Sequence, residues 1–350
     1  MNRRLVAAFA ASSAMVAAAP ATGFAAPGPS LLLARLAYGY DSNLLDASDG
    51  DLAAFASQDP NSFFVVNSMH DEFIAGSLYG QWRLAPKSRA RPSLELRLER
   101  KQYLGNPICS EARIGLRSRA RVGRRARLDF GLDFTPQSYS KHRRDYNALP
   151  GEPAFRPEVY RAWASDLGWT QNLGSGSSIR IGFEGWLRNY RAPFDARSRD
   201  LAGANAGLEH SLTSQIGMGI TGGYRHTWSQ NTPGLPTDLS NREWFFQPSI
   251  YAGSKSLLLT LRVGAELAWR HYTSQDPADH SHFGRNDRRS DLEIELTRSL
   301  VRSVAADVHY VRRWWHSNIP QAAFDEDAFS DTEVRGGLVW SWDRSKESTP

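Results

Sequence analysis

Past its first two dozen positions, this chain of 350 residues has no uninterrupted apolar stretch of the roughly 18 to 20 residues that a membrane-crossing helix needs. That absence excludes a helical membrane bundle, as does the low mean hydropathy of −0.48, which a barrel with a charged interior tolerates. Cysteine is nearly missing as well: Cys109 stands alone, so no intrachain disulfide forms. Without a second thiol or a histidine pattern beside it, Cys109 is a poor metal or nucleophile candidate. Lysine is scarce, five of the 42 basic residues, at Lys87, Lys101, Lys141, Lys255 and Lys346. The arginine excess fits genome composition and also suits carboxylate partners in a crowded interior. A strong single-sign charge is lacking too, since the formal net charge of +5 falls to +3 without Arg3 and Arg4. Nucleic acid is therefore not implied as a partner.

What is present begins with an export signal. Met1, Asn2, Arg3 and Arg4 form a basic region, Leu5 to Ala19 a mostly apolar one, and Gly23, Phe24 and Ala25 a small-residue cleavage site. The pattern predicts a signal peptide over residues 1–25, cleaved after Ala25, and a single domain over residues 26–350. The Arg3-Arg4 pair hints at a twin-arginine signal, a route that an unfolded barrel precursor does not need. No cysteine follows the apolar region to carry a lipid.

After residue 30 the chain settles into a two-residue rhythm. Leu259, Leu261, Val263, Ala265, Leu267 and Trp269 interleave with Thr260, Arg262, Gly264, Glu266 and Ala268. Leu94, Leu96 and Leu98 alternate with Glu95, Arg97 and Glu99, as do Leu128, Phe130, Leu132 and Phe134 with Arg127, Asp129, Gly131 and Asp133, and Leu292, Ile294 and Leu296 with Glu293 and Glu295. Successive strand side chains face opposite ways, so each strand has one apolar and one charged face. A soluble sandwich would turn the charge outward, whereas a barrel in lipid turns it inward.

The connections decide between these two. Fourteen strands are predicted, starting near Leu32, Phe73, Arg91, Ala112, Ala126, Val159, Ser178, Asp200, Ile216, Glu243, Leu257, Asp291, Val304 and Thr332. Long or medium polar connections (44–71, 105–111, 143–157, 193–199, 231–241, 275–287, 319–330) alternate with brief ones (85–90, 123–125, 173–177, 213–215, 253–256, 299–303). Long loops outside, short turns in the periplasm and an even strand number describe an all-β, transmembrane, antiparallel up-and-down barrel of the Gram-negative outer membrane. Its surroundings would be outer-membrane lipid, and the barrel assembly machinery would insert it. Tyr38, Tyr40, Trp82, Trp228, Trp244, Trp269, Trp314, Trp340 and Trp342 read as interfacial girdle anchors, with a sugar-stacking role at Trp314 and Trp315 as the alternative. The first long connection carries the apolar pieces Leu52 to Ala56 and Phe63 to Val66, so it is expected to fold inward or across the mouth.

The inward face is the candidate site. The expected lumen lining is Arg97, Arg113, Arg117, Arg119, Arg121, Arg180, Arg188, Arg262 and Arg270 with Glu95, Glu184, Glu266, Glu293 and Glu295. Cross-strand ion pairs stiffening the wall are the plain reading, and an arginine ladder for an anionic polymer or solute is the functional one. No cofactor is expected, and no metal site: Asp46, Asp49 and Asp51 miss calcium-loop spacing. Catalysis is disfavoured, because His316-Ser317, Glu209-His210-Ser211 and His280-Ser281-His282 are adjacent in sequence, and adjacent strand residues point apart.

The opening strand, with Gly39, Tyr40, Asp41, Ser42 and Asn43, resembles the start of the barrels that follow helical repeats in surface lipoprotein assembly modifiers and related outer-membrane exporters. The resemblance continues through Arg285, Asp287 and Arg288, then through Tyr310, Arg312, Ser317 and Asn318 ahead of a last strand rich in tryptophan. It covers about a tenth of the chain. It implies a fourteen-stranded, non-enzymatic barrel that exports or transports a surface lipoprotein or polysaccharide, with the helical repeats supplied by a periplasmic partner. The alternatives are a general diffusion porin with anion preference and, more remotely, an outer-membrane lipid-modifying hydrolase. The family's closing aromatic residue has its nearest equivalents here in Trp340 and Trp342, ahead of the polar run from Asp343 to Pro350.

Overall fold

The structure, a computed structural model, describes residues 29–47, 49–58, 66–85, 88–144, 155–229, 239–254, 256–279, 282–318 and 329–343. The signal segment expected over 1–25 lies outside these residues.

Fourteen strands close into one barrel: β1 (Leu31–Asp41), β2 (Asp71–Arg83), β3 (Ser93–Tyr103), β4 (Glu111–Val122), β5 (Ala126–Arg144), β6 (Phe155–Gly174), β7 (Ser177–Tyr190), β8 (Arg199–Ser211), β9 (Ile216–Ser229), β10 (Asn241–Ser254), β11 (Leu259–Tyr272), β12 (Asn286–Val301), β13 (Val304–Ser317) and β14 (Phe329–Asp343). Each pairs antiparallel with its sequence neighbours, and β14 returns to β1. The closing seam runs without a bulge from Leu31 opposite Asp343 to Asp41 opposite Glu333. Closure leaves no strand edge unpaired, which is the condition for crossing hydrocarbon with strands. The start of β1 and the end of β14 lie beside the short turns, and the long connections gather at the other end.

Burial inverts the pattern of a soluble protein. Leu36 is 54% exposed, Ile250 56% and Trp244 62%, while Asp331 and Asp287 are buried. The apolar parity of every strand faces out and the charged parity faces in, as in a membrane barrel. Trp82, Trp169, Trp340 and Trp342 stand outward near the short turns, and Tyr38, Tyr40, Trp228, Trp244, Trp269 and Trp314 stand outward toward the loops. Trp314 pairs with Ser330, ten residues above Trp340 on β14. At about 3.3 Å per residue and a tilt near 40°, that spacing gives a band about 25 Å tall, the height of a barrel's apolar belt.

Local features adapt this frame. β5 and β6 are 19 and 20 residues long and overhang the rim, with register shifts between Thr135 and Ser138 and between Tyr139 and His142 that bend the hairpin. In the first long connection, α1 (Asp49–Ser57) contributes Leu52 and Phe55 to a small core of Ala47, Val66, Met69, Leu44, Leu45 and Cys109. The segment therefore packs against the β3–β4 connection at the mouth. Of the two apolar pieces predicted to drive this, the first is in the cluster. The second is described only from Val66 onward.

At Gly39 in the seam, an added Cβ would collide with the Phe73 ring and lie 2.6 Å from the Val334 carbonyl oxygen. The Gly39→Val variant is expected to lose about 1–3 kcal/mol from overpacking, read as a lower urea midpoint in the mobility shift between folded and heat-unfolded barrel on gels.

Candidate functional site: a lumen lined by ion pairs

The inward parity builds the site. All fourteen charged residues proposed from the sequence occupy inward positions of their strands, as the ladders place them: Arg113 opposite Glu99, Arg117 opposite Glu95, Arg121 opposite Arg127, and Arg262 opposite Glu295. Arg119 bonds Glu95 at 3.2 Å and Asp129 at 2.7 Å, and Arg127 reaches the same Asp129 at 2.8 Å. Arg97 reaches Glu99 at 2.5 Å, while Arg117 and Arg180 approach Asp166 at 3.5 and 3.9 Å. Glu293 pairs with His309 at 2.7 Å and Glu295 with Arg35 at 3.9 Å. Arg188 lies over Tyr160 and Trp186, 4.5 and 5.1 Å from their centroids. Arg113, Arg121 and Arg262 make no ion pair among the described residues.

The hub of the network is a residue that sequence reasoning passed over. Arg225 reaches Glu184 at 2.9 Å, Glu243 at 2.9 Å and Glu266 at 3.2 Å. Arg270 holds the other oxygen of Glu243 at 2.9 Å, and Arg289 pairs with Glu266. The signal was present but quiet: Gly217, Gly219, Thr221 and Gly223 share the inward parity of β9, and the stripe ends at Arg225. A second missed cluster joins β1, β3 and β14. There Lys101 bridges Asp41 at 3.3 Å and Glu333 at 2.9 Å, and the Tyr103 hydroxyl donates to Asp41 at 2.5 Å. Arg313 holds Asp331 at 2.6 Å, and Arg35 pairs with Asp307.

These pairs lie within one strand or join strands no more than three apart, and so run along the wall. Inward glycines help them lie flat. The position a Cβ would occupy at Gly131 is taken by the Asp166 carboxylate, and at Gly168 by the Arg180 guanidinium. Three cavities are strung along the lumen. One of about 710 Å³ at the loop end is lined by Tyr160, Trp186, Arg225, Glu243, Arg270 and Trp315 among others. It shares Lys101, Glu111, Arg313 and Glu333 with a middle one of about 350 Å³, which shares Arg35, Ser77 and Arg97 with a third of about 530 Å³ toward the turns.

The resemblance motif sits at the upper seam. Gly39 packs under Phe73 and Tyr40 faces out. Asp41 joins the lysine cluster, Ser42 bonds Asp331 and Thr332, and Asn43 ties Ala47 to Ser330. Asn318 braces the β12–β13 ends through Asn286 and Gly284. Ser317 ends β13 on the inward parity, opposite Asp287. The two tryptophans weighed as a stack part ways, Trp314 facing out and Trp315 in, where Arg270 lies 4.6 Å from its ring. His316 and Ser317 point apart. A cross-strand pair does form between Ser177 and His210, at 2.8 Å, but the serine uses Nδ1, the nitrogen that an orienting carboxylate would occupy in a hydrolase.

No family model matches the chain, and no curated protein sequence matches it. Among solved structures it is similar to the CymD monoaromatic hydrocarbon channel (10% identity, 89% of this chain and 88% of that one, TM-score 0.47). It is also similar to the Ralstonia pickettii toluene transporter TbuX (8%, 89% of each, 0.48) and to a bacterial polysaccharide outer membrane secretin (10%, 90% of this chain and all of that one, 0.47). At this distance nothing about the contents of the lumen transfers.

Two outcomes are expected. Removing Arg225 leaves three carboxylates without their shared partner, so Arg225→Ala should cost about 3–5 kcal/mol in urea unfolding monitored by tryptophan fluorescence, and adding Glu243→Gln should restore part of it. Burial, reinforced by Asp71 and Asp41, pushes the Cys109 thiol up to about 12. The folded barrel should therefore resist maleimide labelling at pH 8, where the urea-unfolded chain labels readily, and become reactive only as the pH climbs toward 12.

Proposed function

We propose that this chain is a non-enzymatic channel of the Gram-negative outer membrane, passing small polar solutes with a preference for anions. The observation that carries the reading is the series of three lumenal cavities joined through shared lining residues, with ion pairs that follow the wall. Charge selection falls to β4, where Arg113, Arg117 and Arg121 share one inward face and two of them lack a carboxylate among the described residues. Cations that no partner neutralises raise the local concentration of anions. Barrel assembly machinery would insert the chain, with its long loops outermost.

The same stripe favours a second reading: an extended anionic polymer, such as a surface polysaccharide, moving along β4 with a periplasmic helical-repeat protein feeding it. Cavities of this size do not pass a folded lipoprotein.

Conductance of the refolded protein in planar bilayers tests both. Wild type should open stably and prefer chloride over potassium, and Arg113→Ala/Arg117→Ala/Arg121→Ala should bring the permeability ratio toward unity. A cation-preferring wild type would overturn the anion reading. Block by a long sulfated dextran but not by its monomer would favour the polymer.

A further inference from the structure

The lipid-facing surface of β9 to β13 gathers several basic side chains. The outward residues of these five strands include no aspartate or glutamate, although carboxylates line the lumen behind them and Glu72 and Asp200 face outward on β2 and β8. Apart from Arg298 at the turn end of β12, what the sector carries instead is basic and lies toward the loop end. Arg242 is two residues from Trp244 on its loop side, His271 two from Trp269, and His316 two from Trp314. Cross-strand pairing gathers them into one patch: Arg242 is opposite His226 and His271, and Arg288 is opposite Trp269 and His316. Arg312 lies against Trp314, 5.4 Å from its ring centroid, and donates to Thr332.

In the lumen, arginines such as Arg119, Arg225 and Arg289 have carboxylate partners. Arg242 and Arg288 are exposed and make no ion pair among the described residues. The row of tryptophans marks the membrane boundary; Arg242 stands one step on the loop side of Trp244 and Arg288 level with Trp269, so both guanidiniums stand at head-group depth. A lone basic residue there simply reaches for water. Two arginines, flanked by three histidines and with no acid among them, form a cationic surface without a counter-charge among the described residues, and guanidinium binds phosphate oxygens in a bidentate fork. The apolar belt below, with Ile250, Leu267, Leu296 and Val308 exposed, supplies a bed for acyl chains.

We propose that the loop-end exterior of β9 to β13 is a docking site for an outer-leaflet lipid whose sugar head group bears phosphate monoesters. The site rests on the membrane placement described above but not on conduction, so the two can fail separately.

The test uses the whole refolded barrel in a non-ionic detergent, incubated with a diphosphorylated diglucosamine lipid or with the same lipid enzymatically dephosphorylated, and read by native mass spectrometry. Wild type should retain the phosphorylated lipid, and Arg242→Gln/Arg288→Gln should weaken retention roughly tenfold, about 1.4 kcal/mol. Arg298→Gln, outward on β12 at the opposite end, should bind as wild type. Gel mobility of the unboiled variants confirms closure, and unchanged conductance keeps the lumen out of the result. Equal retention of both lipids, or an Arg242→Gln/Arg288→Gln barrel that binds like wild type, would overturn the site. A barrel that retains the lipid yet never conducts would leave it standing and remove the channel.

Discussion

Every other feature of this molecule depends on one demand: inside hydrocarbon, each backbone N–H and C=O must find its partner within the protein. The seam between β14 and β1 meets that demand by giving the last two edges to each other. Once the cylinder is closed, the two faces of every strand are committed to different solvents. Leu36 and Ile250 face lipid, and Asp307, Glu243 and Arg225 face the lumen. A register slip of one residue at any ladder would exchange the two sets, so the alternation of apolar and charged residues is what keeps the ladders in place.

The interior then has its own constraint. Arginine and carboxylate side chains inside a closed wall are only partly hydrated, and a charge left alone there is costly. The response is pairing along the wall, with one cation serving several anions, as Arg225 does for Glu184, Glu243 and Glu266. Inward glycines complete the arrangement. Where a strand has no side chain, a neighbour's carboxylate or guanidinium lies against the backbone and stays out of the central path, as Asp166 does over Gly131. Stabilising the wall and leaving room in the middle are thus achieved by the same contacts.

Much of this was legible from the amino-acid order, because a period of two is a strong local signal when one face is apolar. The strands predicted at Ala126, Ile216 and Val304 begin there, and those predicted at Asp291 and Val159 begin four or five residues earlier, since the polar rim of a strand has no apolar partner to announce it. Parity likewise placed Arg113 and Glu266 on the inward face. What stayed hidden were contacts set by closure. Nothing local links Lys101 to Glu333 or Arg35 to Asp307, which meet because β14 returns to β1. Paired identical residues also defeat the pattern. Arg288-Arg289 and Trp314-Trp315 each place one member outside and one inside, and composition does not say which.

The doublet at 288–289 shows how far environment, more than residue type, decides a role. Arg289 faces in, shares Glu266 with Arg225 and reaches Asp291 at 3.3 Å. It is one member of a neutralised network, and its loss would be felt as instability. Arg288, one residue earlier, stands in the tryptophan row with no carboxylate on its surface or on the adjoining strand faces. The backbone between them is ordinary strand, and both carry the same charge. On the lumen side that charge has its partners within the fold. On the lipid side the described strands supply none, and an anion held at the depth of Trp269 and Trp314 is the partner we propose for it.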